Sequence, residues 1–311
     1  MTTHSATRYG WAMESLDILV IGGVGVDTVV RVPALPLPQA DSLMVPPVRT
    51  LLGHTGNGVV RGAHALGMRA AVVDVIGDDP EGALIRSSFE HDGIPASFAT
   101  NTAGTRRSVN LVAPDGRRLS LYDARADGFE PDPALWRDWL GRTRHVHVSI
   151  MDWARRALPD ALGSGATTST DLHDWDGRSD YHRDFAYSAD TVFVSATALA
   201  DEAGVVADVF SCGRASTVVV MDGERGARIW SRGAPDSPIR VAAAVLPDRP
   251  AVDSNGAGDS FVAAFLHARL MGRPLAEAGR AGAVGGAWAC GSAGTHTSFV
   301  NRQELEAALR L

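Results

Sequence analysis

The sequence predicts an α/β fold: a mostly parallel central sheet flanked by helices, with a small β-sheet lid. Continuous aliphatic runs such as Ile18-Leu19-Val20-Ile21 and Ala70 to Ile76 read as strands covered on both faces, as parallel sheets require. Helical patterns alternate with them along the chain. Two segments lack this core character. Residues 29–50 are rich in proline with alternating valines, and residues 105–122 read as a hairpin, so together they are assigned to the lid. The core is then 16–28, 51–104 and 123–311.

Composition narrows the function. The chain has 311 residues, 45% of them apolar and 21% charged, enough for one large α/β unit with an appendage. A net charge of −7 argues against nucleic acid or an anionic membrane as partner, because no basic excess exists to displace counterions. The 29 basic residues are all arginine. That excludes a P-loop lysine and Schiff-base chemistry, so any phosphate must be held by backbone amides, arginine or a metal. Cys212 and Cys290 show no CxxC spacing and suggest reduced thiols. Met1 to Ser15 is polar, and no apolar run approaches the roughly 20 residues of a membrane span. A cytoplasmic enzyme is the expectation.

In chain order, Leu16 to Val26 reads as one buried strand. It ends in Gly22-Gly23-Val24-Gly25-Val26-Asp27, but Val29 to Pro33 continues as strand, so a dinucleotide-binding turn, which must open a helix, is a poor fit. Gly53-His54-Thr55-Gly56-Asn57-Gly58 opens a helix from Val59 to Leu66 that Gly67 closes. Gly77-Asp78-Asp79-Pro80 starts another, with its acids read as helix-start residues. The hairpin pairs Arg106 to Val112 with Arg117 to Tyr122 across Pro114-Asp115-Gly116. Its arginines are either solvated edge charges or groups that reach substrate on closure, Arg106 among them. His145 and His147 alternate on a strand without a third metal ligand at a usual spacing. Asn301 to Glu304 has a capping-box pattern.

The most informative stretch is Val252 to Leu266. Asp253-Ser254-Asn255-Gly256-Ala257-Gly258-Asp259 is polar and small, and Phe261 to Leu266 is an apolar helical run. A glycine-rich loop feeding a helix N-terminus offers unpaired N–H groups and a positive dipole end to an anion. Asp259 would repel a phosphate there. It is either a first-turn acid that helices favour anyway or a group with a chemical task, such as taking a proton from an attacking hydroxyl.

This stretch resembles the C-terminal signature of the ribokinase-like, PfkB-type carbohydrate kinases. Asp27, Gly53 to Asn57, Gly77-Asp78-Asp79, Gly223 to Gly226 and Asp253 to Asp259 follow in the order that family has. The resemblance implies a ribokinase-like, doubly wound fold and ATP-dependent phosphorylation of a hydroxyl, primary by expectation, of a sugar or sugar-like molecule. Asp259 would be the catalytic base, with Gly256, Ala257 and Gly258 forming the anion hole. It implies that Asp27, Gly53, His54 and Asn57 bind the acceptor, with His54 standing where relatives carry a second glycine. Gly223, Gly226 and Asn255 fall on the nucleotide side, and ATP with Mg²⁺ is the expected donor. The loop from Gly294 to Ser298 resembles one that holds a monovalent cation such as K⁺ with Asp253. Lid-to-lid homodimers are frequent in the family. Two departures stand out. His173 replaces the asparagine of an Asp-x-Asn strand end beginning at Asp171, and Ser195 and Ala198 replace an Asn-x-x-Glu pair that steadies Mg²⁺ waters. The alternatives are therefore a nucleoside kinase of the same family, or a non-catalytic protein that binds sugar or nucleoside.

Overall fold

The computed structural model describes residues 15–115, 117–123, 125 and 128–310. The polar N-terminal stretch and Gly116 of the hairpin turn lie outside them. The first strand, β1 (Ile18–Ile21), stops at Gly22 and Gly23, whose φ values of 83° and 84° turn the chain away. The chain restarts as β2 (Gly25–Arg31), so the strand expected over Leu16 to Val26 is two strands in different sheets. Consecutive left-handed glycines account for the break, since a side chain at either position would be strained. There follow β3 (Arg49–Gly53), α1 (Thr55–Ala65), β4 (Ala70–Ile76), α2 (Pro80–His91) and β5 (Ala96–Thr100). Next come β6 (Arg107–Val112), β7 (Arg118–Asp123), α3 (Ala134–Leu140), β8 (His145–Val148), α4 (Leu158–Gly163) and β9 (Thr167–Asp171). The C-terminal half contains α5 (Arg183–Ser188), β10 (Thr191–Ser195), α6 (Glu202–Cys212), β11 (Thr217–Met221), β12 (Ala227–Ser231) and β13 (Ala234–Val241). It ends with α7 (Ala257–Leu270), α8 (Leu275–Cys290) and α9 (Arg302–Ala308).

Nine strands form the large sheet in the order β13-β12-β11-β10-β9-β8-β1-β4-β5, parallel except for the antiparallel β12 and β13. Alternate residues feed two cores. Ile18, Val20, Val72 and Ile76 pack with α1, α2, α7, α8 and α9, while Leu19, Ile21, Val73 and Val75 pack with α3 to α6 on the other face. This is the doubly wound arrangement, and it explains why the strands read as unbroken aliphatic runs. Each fully buried Val, Leu or Ile contributes about 1.5–3 kcal/mol. Helices α7 and α8 approach closely because α8 is glycine-rich: a Cβ at Gly282 would lie 2.7 Å from the Phe261 ring, and one at Gly285 2.5 Å from the Ser260 carbonyl.

The small sheet has the order β3-β2-β6-β7. It includes residues 25–28 and 51–53 in addition to the expected lid segments. Strands β2 and β6 run parallel, with Asp27 beside Ser108, and the expected hairpin is the antiparallel pair β6 and β7. His145 and His147 are buried and bond inward to the hydroxyls of Thr167 and Ser169, which makes them part of the sheet's interior. Asp79 caps α2, accepting from the Gly82 amide at 2.8 Å. Among the described residues no helix is long and apolar enough to cross a membrane.

Candidate active site

The carboxyl ends of β1, β8, β9, β10 and β11 open on one edge of the large sheet, where open α/β sheets place their ligands. The small sheet lies over this edge, and the N-termini of α1 and α7 point into it. Helix α7 begins earlier than its apolar run, at Ala257, and Gly256 before it is left-handed at φ 75°. The Ala257 amide donates to the Ser254 carbonyl at 3.3 Å. Gly258 and Asp259 supply the next two amides of the first turn, which have no intrahelical partner by helix geometry. The opening for an anion therefore rests on Gly258 and Asp259 more than on Ala257. A side chain at Gly258 would meet nothing nearer than 3.8 Å, so space lies beside this turn.

Asp259 is only 8% exposed. One carboxylate oxygen, Oδ2, is 2.7 Å from Nε2 of His296, whose Nδ1 is 3.1 Å from the Asn57 amide nitrogen. Asn57 is fully buried in the first turn of α1, and its carbonyl oxygen accepts from Nε of Arg61 at 2.7 Å. Asn57, expected as an acceptor ligand, is thus tied to Asp259, expected as the base, through His296, to which the sequence assigns no role.

Asp27 projects from β2 towards the same edge. The Ser108 hydroxyl donates to its Oδ1 at 2.5 Å, and Thr295 and His296 act on it from the C-terminal loop. Burial pushes the Asp27 carboxyl above its ordinary value, the Ser108 hydrogen bond opposing it. Gly53 follows from this placement, because a Cβ there would overlap the Asp27 carboxylate. His54 sits at φ 68°, its side chain 7% exposed and its Nε2 3.5 Å from Asp27 Oδ1. Burial lowers its imidazole to about 3, so at neutral pH this contact joins an uncharged ring to Asp27 and is not an ion pair. Nε2 is a buried atom without a protein hydrogen-bond partner among the described residues. The Tyr122 ring lies 5.3 Å from His54, centroid to centroid, and its hydroxyl faces Met151 Sδ. From Asp27 the polar floor of the small sheet continues through Ser108 and Asn110 to Ser120.

Two expected ligands are placed differently. Arg106 is 2% exposed, and its guanidinium is spent on both Asp74 carboxylate oxygens at 2.9 Å and on the carbonyls of Val24 and Val75. It fastens the small sheet to β4 instead of reaching substrate. The arginine of the small sheet that meets the glycine-rich turn is Arg118, which donates to the side-chain oxygen of Asn255. Ser298, expected to hold a monovalent cation, accepts from Arg249 Nη2 at 3.0 Å and from the Trp288 indole N–H at 3.2 Å. Both lone pairs of its hydroxyl are then in use. Asp253 accepts from the amides of Asn255 and Gly294, each at 3.0 Å. A guanidinium supplies positive charge to this loop.

On the nucleotide side, Gly223 and Gly226 bracket a tight turn after β11, at φ 55° and 85°. A Cβ at Gly226 would overlap the Val241 carbonyl. Ser195 caps the short turn after β10 through the Thr197 amide at 3.2 Å. Asp171, at the end of β9, is buried and raised chiefly by burial, with Asp259 close enough to add to the effect. Among the described residues no group of three or more His, Cys, Asp or Glu side chains is arranged to hold a metal. A magnesium ion bound to nucleotide phosphates needs only one or two protein carboxylates, and Asp171 and Asp259 are two carboxylates that lie close enough to influence one another here.

Comparison with known proteins bears on this geometry. Residues 15–302 match the family described as pfkB family carbohydrate kinase. The acarbose 7(IV)-phosphotransferase of Actinoplanes sp. (strain ATCC 31044 / CBS 674.73 / SE50/110) is 45% identical over 94% of this chain and 98% of its own. Fructoselysine 6-kinase of Escherichia coli (strain K12) is 27% identical over 68% of this chain and 79% of its own. Among solved structures, the microbiome-derived acarbose kinase Mak1 superposes with a TM-score of 0.90 and 62% identity, covering 96% of this chain and 100% of that one. Arabidopsis thaliana ribokinase, complexed with ribose and ATP, superposes at 0.79 with 20% identity over 96% of this chain and 99% of that one, a likeness of fold.

Proposed function

The chain belongs to the pfkB family of carbohydrate kinases, and from that premise we propose that it transfers the γ-phosphoryl group of ATP to a hydroxyl of acarbose or a similar carbohydrate of several rings. The observation that carries the reaction is the placement of Asp259: a nearly buried carboxylate in the first turn of α7, beside amides that have no helical partner. In the proposed step the acceptor hydroxyl attacks the γ-phosphorus in line. Its proton passes to Asp259, the bond from phosphorus to the β,γ-bridging oxygen breaks, and ADP leaves. The Gly258 and Asp259 amides and the positive end of α7 stabilise charge on the moving phosphoryl oxygens. Magnesium arrives with the nucleotide and is part of the donor substrate. The Gly223–Gly226 turn and Asn255 are assigned to the nucleotide side.

Asp27 and the unpartnered Nε2 of His54 are assigned to acceptor hydroxyls, with Tyr122 as a ring face beside them. The row Asp27, Ser108, Asn110 and Ser120 offers further polar atoms to an acceptor longer than one sugar. The identity of the acceptor rests on the 62% and 45% identical relatives, both described by their action on acarbose. The test is ADP release with Mg-ATP across acarbose, maltooligosaccharides, monosaccharides and nucleosides, with the product analysed by NMR. Turnover is expected with acarbose-like acceptors. Faster turnover with ribose, fructose or a nucleoside would overturn the assigned acceptor class.

A further inference from the structure

His296 is buried to 1% side-chain exposure and held at φ 54°, a backbone conformation that non-glycine residues seldom adopt. Space for its ring is cleared from two sides. A Cβ at Gly58 would overlap Nε2, and one at Gly256 would lie 2.7 Å from Cδ2, so a glycine in each of the two glycine-rich motifs makes room for this imidazole. Phe299 stacks beside it at 6.0 Å between centroids and 18° between planes.

The hydrogen-bond chain behind the ring fixes which nitrogen carries the proton. Arg61 has only donors, so the Asn57 atom 2.7 Å from its Nε is the carbonyl oxygen. Arg61 is itself anchored, by Asp92, by the Ser88 hydroxyl at 2.8 Å and over the Phe89 ring. The Asn57 amide is thereby oriented with its NH₂ towards His296 Nδ1, which must accept. The ring hydrogen is then on Nε2, pointing at Asp259 Oδ2 from 2.7 Å.

We propose that His296 is a positioning residue for the base: it holds Asp259 Oδ2 through an Nε2–H set by Arg61 and Asn57, and so presents Oδ1 to the acceptor hydroxyl. The proposal rests on the reading of Asp259 as the base. Because Nδ1 is occupied by the Asn57 N–H, His296 does not pass the proton onward. It restrains rotation of the carboxylate and leaves one oxygen to take the proton. The sequence motif supplies the base, and the loop 37 residues later supplies its orientation.

The test uses the full chain with ring-¹⁵N histidine, and His296 is assigned by the signal missing from His296→Gln. Long-range proton–nitrogen correlation is expected to show a protonated Nε2 and an unprotonated Nδ1. The reverse pattern, or two averaged nitrogens, would overturn the proposal. In kinetics, His296→Ala is expected to lower kcat about 10- to 100-fold with little change in acceptor KM, the size of effect usual for groups that orient a functional ligand. His296→Gln, which keeps a donor, should recover part of it and covers the case in which the alanine variant does not fold. Wild-type kcat in His296→Ala, or no recovery in a folded His296→Gln relative to His296→Ala, with turnover lost in Asp259→Ala, would overturn this inference alone. Turnover retained in Asp259→Ala would remove the base and the proposed role of His296 with it.

Discussion

Arg106, immediately before β6 of the small sheet, grips Asp74 on the large one, both side chains buried and both carboxylate oxygens 2.9 Å from the same guanidinium nitrogen. The pair also holds the Val24 carbonyl, immediately before the strand β2 that carries Asp27. Breaking a buried pair leaves an uncompensated charge, so Arg106→Met is expected to destabilise by about 3–5 kcal/mol in urea unfolding. The double change Arg106→Met with Asp74→Leu should restore much of that loss. A single variant as stable as wild type would show that the pair does not hold the sheets together.

Asp27 sets a conflict between stability and binding. Its carboxyl is raised by burial, so the ionised form is the one the fold disfavours. A group raised in the folded state favours folding below its unfolded value, and that contribution is lost as pH rises through the folded value. Asp27→Asn should therefore raise the melting temperature at neutral pH while raising acceptor KM. Acceptor binding by wild type is expected to weaken on acidification at a higher pH than an ordinary aspartate would impose. A variant with unchanged KM would remove Asp27 from the acceptor site.

Arg118 reaches Asn255 beside the glycine-rich turn, from a strand whose residues are mostly exposed. Arg118→Ala is expected to lower kcat several-fold and to raise the ratio of ATP hydrolysis to transfer, because the small sheet then closes less firmly over the turn. Coupled ADP and phosphate assays measure that ratio directly. An unchanged ratio would make the contact incidental.

Arg249 occupies the C-terminal loop as a fixed cation, bonded to Ser292 and Ser298 and stacked 4.3 Å over the Trp288 ring. Turnover is expected to be the same in potassium and sodium buffers at equal ionic strength. Strong activation by potassium would show a cation site that this arginine does not replace.

The parallel core was legible because strands covered on both faces carry a local signature, and Ile18 to Ile21 and Ala70 to Ile76 show it plainly. The split at Gly22-Gly23 was not, since flanking aliphatic residues continue across it and only the positive φ values separate the strands. Asp259, Gly53 and Asp27 lay in short motifs with recognisable order. Arg106 misled because an arginine on a lid strand reads the same whether it faces solvent or Asp74, a partner 32 residues away. His296 lay in a loop already singled out, but its meaning depends on Asn57 and Asp259, at separations of 239 and 37 residues that no local pattern encodes. Asp74 and Arg118 gave no signal apart from a charge within an apolar or edge strand.

The most direct measurement is kcat for Asp259→Asn beside wild type with Mg-ATP and the best acceptor, together with acceptor and nucleotide binding by calorimetry. With Asp259 as the base, kcat is expected to fall about 10²- to 10⁴-fold, the usual worth of a general base, with both ligands still bound. A kcat within a few-fold of wild type would contradict it, and the proton of the acceptor hydroxyl would have to leave by another route.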